Sequence, residues 1–461
     1  MKLKVKELGA IKEGVIDLSK SLNVFCGPNG TGKTYMAYAI YGLFKKQFIV
    51  GSDEVLMRHL VDNHVFNYEI DFVKLNKYRQ NLLKEFKDDF DSLFGIGDNL
   101  AKEYFSRTEL FFEESDDEYR ARILNSEFEV NLDVRKTKIK VLKKEGDGFL
   151  TLDIDDNTFS NDEMSPLSLL IPSSLFFLLA VYPISNSYIL PVERNSIYTF
   201  NKELSLSKQE AVDHFHAMTG KNKVDRFELL FKKTTRYPLP IKDGLLIADD
   251  LSEYKKTTSE YFDFASEIEN ELLHGKVQIT NEGDIQFRPD KAPKRHLPIH
   301  MTASVIKSLA SLVIYLKHIA RKNDLIIIDE PEINLHPDNQ IILTRLLARL
   351  INKGFRLLIS THSDYVVREI NNLIMLSNSK TKLNDFQKVY GYKEDEFIDK
   401  DMVDVYFFNY PKKKTSNKQV IIEKLNVLAS GFEIPSVNEA IEKQNLIAEE
   451  LYYALKYSAD E

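Results

Sequence analysis

Near its start the chain reads LKVKELGAIKEGVIDL, with apolar positions recurring through Leu3 and Val5 and then Val15, Ile16 and Leu18. That pattern predicts two short strands meeting at a turn. The period then gives way to a mainly apolar run, Leu22 to Cys26, followed by a glycine-rich loop and a helix-compatible segment. Two similar runs, Leu325 to Ile328 and Phe355 to Ser360, read as further apolar strands. Between these core segments lie KYRQNLLKEFKDDFDSLF and SEYFDFASEIENELLHG, which suit helices but are too short and interrupted for the sustained heptads of a coiled coil. SEFEVNLDVRKTKIKVLKKEGDGFLTLDIDD alternates and contains the turn Glu145-Gly146-Asp147-Gly148, so it predicts a β meander. Near the end, Ile441, Leu446, Ile447, Leu451 and Leu455 mark a helix suited to packing on the head or on an assembly partner.

One stretch raises the question of a membrane. Met164 to Val192 has no Asp, Glu, Lys or Arg, but Pro166, Pro172, Pro183 and Pro191 interrupt it. No proline-free run reaches the roughly 20 residues of a bilayer span, so we expect a buried helix feeding the strand YILPV and no membrane partner. The 461 residues, 43% apolar and 11% aromatic, supply a large core and exclude a disordered or collagen-like chain. The net charge of −8 denies the molecule a general positive field for nucleic acid or anionic lipid. It leaves local patches such as Lys412 to Lys414 open, although a solvated turn is the simpler reading there. One cysteine and an N-terminus without a continuous apolar segment lead us to expect a cytoplasmic protein.

Chemistry enters with Gly27-Pro28-Asn29-Gly30-Thr31-Gly32-Lys33-Thr34, a GxxxxGKT loop between strand and helix. Glycines let the loop close around phosphate with Asn29, Gly30, Thr31 and Gly32 at the nucleotide. Lys33 reaches the β and γ phosphates, and Thr34 ligates Mg²⁺. The second signal is the strand Leu325 to Ile328 ending in Asp329-Glu330-Pro331-Glu332. Asp329 would complete the Mg²⁺ site with Thr34, and Glu330 would orient or deprotonate the attacking water. A third strand end, Ser360-Thr361-His362-Ser363-Asp364, places His362 where it can meet the γ phosphate or that water. Cys26 reads as core, and His336 lacks the spaced partners of a metal site.

Together with Asn334-Leu335-His336-Pro337, these segments resemble the ABC-type ATPase heads of the SMC, Rad50 and OLD superfamily, especially the AAA15-type defence ATPases. The resemblance implies an α/β fold: an ABC/SMC-like P-loop ATPase head with an antiparallel β subdomain and an inserted α-helical region. It implies a head over 1–375, split by an insertion within about 60–275, and a C-terminal extension over 376–461 for packing or assembly. It makes Asn334 to Pro337 a loop at a dimer interface and His362 the switch residue. In Met301 to Leu309 it makes Ser304 the signature serine that reaches the γ phosphate of a second copy, although Val305 stands where a small glycine is usual. Leu190-Pro191-Val192-Glu193-Arg194 resembles a strand-end element of the same family, with a Glu193–Arg194 ion pair as the simplest role and a contact from Arg194 to nucleotide or partner as the other.

The function so implied is Mg²⁺-dependent ATP hydrolysis by a homodimer or higher homo-oligomer. Its cycle would couple sensing of a phage-derived trigger to control of a separate nuclease-like effector, as in PARIS systems. The other reading is a DNA repair or maintenance ATPase of the Rad50 or RecF type, acting on duplex or DNA ends.

Overall fold

The computed structural model describes residues 1–46, 49–63, 65–134, 137–154, 161–199, 237–378, 389–411 and 419–458. Lys412 to Lys414 lie outside them. The principal sheet has, in order from one edge, β5 (Glu109–Phe112), β1 (Lys2–Leu8), β2 (Ile11–Asp17), β16 (Val420–Leu425), β15 (Val403–Asn409), β3 (Leu22–Cys26), β14 (Arg356–Ser360), β13 (Leu325–Asp329) and β9 (Ser187–Leu190). From β15 to β9 the strands are parallel. Toward the other edge, β15 meets β16 and β2 meets β1 in antiparallel register, as β1 meets β5.

The parallel half explains the mainly apolar runs. Phe25, Ile327, Leu358 and Tyr406 enter one core, while Val24, Ile326, Leu357 and Val405 enter another on the opposite face. A strand covered on both sides has no polar face to alternate with. Helices Ser304–His318, Pro337–Asn352 and Asp364–Asn378 contribute buried residues to the second core; helices Lys33–Leu43, Phe72–Asp88 and Asn161–Val181 contribute to the first. The fold is thus mixed α/β, with β3 and the phosphate loop that follows it set between β15 and β14 in the parallel half of the sheet.

Between β3 and β9 the chain builds a second, antiparallel sheet of β4 (Val65–Glu69), β8 (Phe149–Ile154), β7 (Thr137–Lys143) and β6 (Phe128–Val134), which contains the expected meander. The apolar stretch after it forms the helix Asn161–Val181 and then β9. Among the described residues no helix is long and apolar enough to cross a membrane. A small third sheet, β10 (Gly275–Ile279), β11 (Ile285–Pro289) and β12 (Leu297–Pro298), precedes the helix Ser304–His318.

The segment expected to form a C-terminal extension enters the sheet itself. Val403, Val405 and Phe407 of β15 face Leu22, Val24 and Cys26 of β3. VDVYFFN is nearly all buried. Cys26 lies in that contact, its Sγ 3.4 Å from the Tyr406 carbonyl, and burial pushes its thiol up to about 12. It is a core residue.

Candidate functional site

β3, β13 and β14 are adjacent and parallel, so their carboxyl ends deliver the phosphate loop, the acidic pair and His362 to one edge of the sheet, where such folds bind ligands. The loop closes tightly. A Cβ on Gly27 would stand 2.2 Å from the Phe408 carbonyl oxygen, and Gly27 has φ 132°; no other residue fits there without displacing backbone. Gly32, at φ 90°, starts the helix Lys33–Leu43. Thr31 is buried and its hydroxyl donates to the Pro28 carbonyl at 2.8 Å. The loop is also braced by β15, whose following residue Tyr410 donates its hydroxyl to the Gly30 carbonyl at 3.3 Å.

Lys33 is buried and folds back on its own loop, its Nζ 3.0 Å from the Gly27 carbonyl and 2.9 Å from that of Pro28. Burial lowers its pKa, while Asp329 and Glu330 pull the other way. A phosphate would replace two neutral carbonyl acceptors with charged ones, the stronger class of hydrogen bond.

Thr34 and Asp329, separated by 295 residues in sequence, are joined by a hydrogen bond of 2.8 Å from the Thr34 hydroxyl to Asp329 Oδ2. The other carboxylate oxygen accepts from Ser360 Oγ at the end of β14. A hydroxyl and a carboxylate beside a phosphate loop are the hard oxygen donors that suit Mg²⁺. Among the described residues no group of three or more His, Cys, Asp and Glu side chains is placed to hold a metal by itself. The donor set therefore fits a cation completed by phosphate oxygens and water.

Glu330 is held in an unusual conformation. Its φ is 50°, a left-handed geometry that costs a non-glycine residue roughly 1–2 kcal/mol. Two partners fix it there: its N–H donates to the Ser360 carbonyl at 3.0 Å, and its carbonyl accepts from Arg194 Nη2 at 2.8 Å. Partial burial, and then the neighbouring Asp329 charge, raise its carboxyl above the usual range. A carboxylate with raised pKa is a better acceptor of a water proton.

Arg194 departs from the ion pair expected with Glu193. Glu193 is exposed, whereas the Arg194 guanidinium is buried and donates to the carbonyls of Pro191, Asp329 and Glu330 at 3.1, 2.8 and 2.8 Å. Burial lowers its pKa to about 10, so it remains a cation at neutral pH. It fastens the backbone that carries both acids.

Glu332 is a participant that the sequence pattern contained without revealing its role. Its Oε1 accepts from the Thr361 hydroxyl at 2.9 Å and from the His362 N–H at 2.7 Å, tying the acidic loop to the end of β14. Ser363 continues the link through a 2.5 Å hydrogen bond to Gln340, on the helix that starts at the Asn334–Pro337 loop. His362 itself is exposed; loss of water on its packed side, and then repulsion from Lys33, lower its pKa. It is neutral at pH 7. Asn334 is exposed in left-handed conformation at φ 62°.

Ser304 stands apart. It is the first residue of the helix Ser304–His318, exposed, with no hydrogen-bond partner among the described residues. Its neighbour Val305 packs against the second core, which gives the atypical valine a local packing role.

The family model described as AAA ATPase domain matches residues 1–170 and 185–367. Among solved structures, the SMC head bound to the C-winged helix domain of ScpA aligns over 92% of this chain and 98% of its own at 12% identity and TM-score 0.35. The SMC head domain from Thermotoga maritima aligns over 92% and 98% at 12% identity and TM-score 0.31. The Pyrococcus furiosus Smc head domain, with an extended coiled coil and bound to the C-terminal domain of ScpA, aligns over 98% of both chains at 14% identity and TM-score 0.32. No curated protein matches.

Proposed function

The chain belongs to the AAA ATPase domain family, and we propose that it hydrolyses ATP with Mg²⁺ in sites completed by a second copy of itself. The observation that carries this reading is the direct contact of Thr34 with Asp329 beside Glu330. Two distant sequence motifs meet with the atoms that phosphoryl transfer needs. Mg²⁺ would neutralise charge on the phosphates, held by Thr34 and Asp329. The chain supplies the rest. Loop N–H groups and Lys33 bind phosphate, Glu330 accepts the proton of the attacking water, and Glu332 holds the His362 backbone near the γ position. Arg194 and Ser360 keep Glu330 from relaxing out of line.

The exposed Ser304 fits a role across an interface, reaching nucleotide bound to a partner copy, with Asn334 to Pro337 alongside. For the output of the cycle we place action on duplex DNA or DNA ends, of the Rad50 or RecF type, ahead of control of a toxic nuclease. The first needs only two heads closing around nucleotide; the second adds an effector and a phage-derived trigger. The test is ATP turnover with and without blunt duplex DNA across a salt series. Salt-sensitive stimulation supports the DNA reading. Turnover indifferent to DNA, with a nuclease co-purifying stoichiometrically with the chain, replaces it with the defence reading. Absence of Mg²⁺-dependent turnover under all conditions removes the ATPase reading itself.

A further inference from the structure

The C-terminal helix Pro435–Ser458 is 24 residues long. Its root is packed, with Phe432 and Ile434 buried and Val437 resting on the second core. Beyond Ile441, every residue through Lys456 is exposed. Leu451 and Leu455 are 59% and 71% exposed. This outer part of the helix stands in solvent, and an exposed apolar stripe on it marks a docking face.

The stripe has a regular spacing. Ala440, Gln444, Ile447, Leu451 and Ala454 alternate by four and three residues, the a and d seam of a coiled coil. Ile441, Ala448 and Leu455 widen it along one side. On the other side the flanking positions are Lys443 and Glu450, one heptad apart and opposite in charge. In a parallel pair these flanks face the apolar side of the partner helix. In an antiparallel pair they face each other. Matching Gln444 with Ile447 of the second copy sets Ala440 against Leu451, small against large, and brings Lys443 within about one turn's height of the second copy's Glu450.

We propose that this helix pairs antiparallel with the same helix of a second copy, independently of nucleotide. The charge pattern is self-complementary only in that arrangement, and the two-fold symmetric contact needs no other protein. The seam from Ala440 to Leu455 is about 24 Å long, short of a standard stable interface, so the pairing is reversible and holds two heads near each other between turnovers. This inference does not rest on the proposed ATPase cycle.

The test uses the full chain carrying Lys33→Ala, with no nucleotide, so that head closure contributes nothing. Its mass is measured by light scattering over a concentration series. The expected result is a reversible dimer that Leu451→Glu with Leu455→Glu makes monomeric. Lys443→Glu alone and Glu450→Lys alone each weaken association severalfold, and the two together restore it. A chain that stays monomeric at its highest soluble concentration overturns the proposal. So does a double charge swap that associates no better than either single change.

Discussion

The two halves of the nucleotide site differ in how far one chain completes them. Around the phosphate loop the positioning groups have partners in their own chain: Lys33 on the loop carbonyls, Thr34 on Asp329, Ser360 on Asp329, Arg194 on the Glu330 carbonyl, and Glu332 on Thr361 and the His362 N–H. At the start of the helix Ser304–His318, Ser304 is exposed without such a partner. Polar groups buried beside other charges must be paired within the fold or cost several kcal/mol. An exposed serine costs nothing, and its chemistry waits for whatever approaches. The contrast separates what folding builds from what assembly would add.

The sharpest way to break the built half is Glu330→Gln. It removes the proton acceptor while keeping the shape, so turnover should fall by roughly 10²–10⁴-fold with ATP binding retained, measured by phosphate release against a fluorescent-nucleotide titration. Unchanged turnover would remove Glu330 from its role. Lys33→Ala should weaken ATP binding by about 10- to 100-fold, the loss of one or two charge-assisted hydrogen bonds. Arg194→Lys keeps the charge but not the fork that serves three carbonyls. We expect stability to drop by roughly 2–4 kcal/mol in a denaturant titration, with slower turnover; a silent Arg194→Lys would show that the acidic loop holds its own shape.

The exposed half breaks differently. Ser304→Arg should leave ATP affinity of the isolated chain within about twofold, since nothing in the chain depends on that hydroxyl, and lower turnover at high protein concentration by about tenfold, the effect of losing one oriented donor. Equal loss at low and high concentration would place Ser304 in its own chain's site.

The pH profile should be set by the built half. Glu330 acts as its carboxylate and its pKa is raised above 4.5; His362 is lowered below 6.5. Protonation of Glu330 removes the proton acceptor, so turnover should fall with acid along a limb that lies above the ordinary glutamate range. An acid limb at or below the ordinary glutamate range would contradict the Glu330 assignment. The smallest effect is expected for Val305→Gly, which removes packing on the second core and adds a flexible residue to a helix, at about 1–2 kcal/mol of stability and little change in turnover.

Much of this site was legible before any coordinates. Gly27 to Thr34 and Leu325 to Glu332 carry their chemistry in residue type and local order, and a strand that ends in acids or in a glycine loop points those residues at the sheet edge. Arg194 was legible only as a charge near a strand end. Its neighbour in sequence, Glu193, is the obvious partner, but Glu193 lies exposed in the turn after β9, and Arg194 turns inward to the carbonyls of Asp329 and Glu330. Glu332 looked like one more acid in a run; its function depends on Thr361 and the His362 backbone, supplied by a different strand.

The sequence by itself determined the chemistry: which loop can cradle phosphate, which carboxylates follow a buried strand, and that the strands are apolar on both faces. Such features are local, set by side-chain type and period. Tertiary structure decided the neighbours. It placed β15 beside β3, so that the Phe408 carbonyl closes on Gly27 and Tyr410 reaches Gly30, and it set Thr34 against Asp329. Strand order and long-range pairing are fixed by the sum of core packing over the whole sheet, which no local stretch of residues encodes.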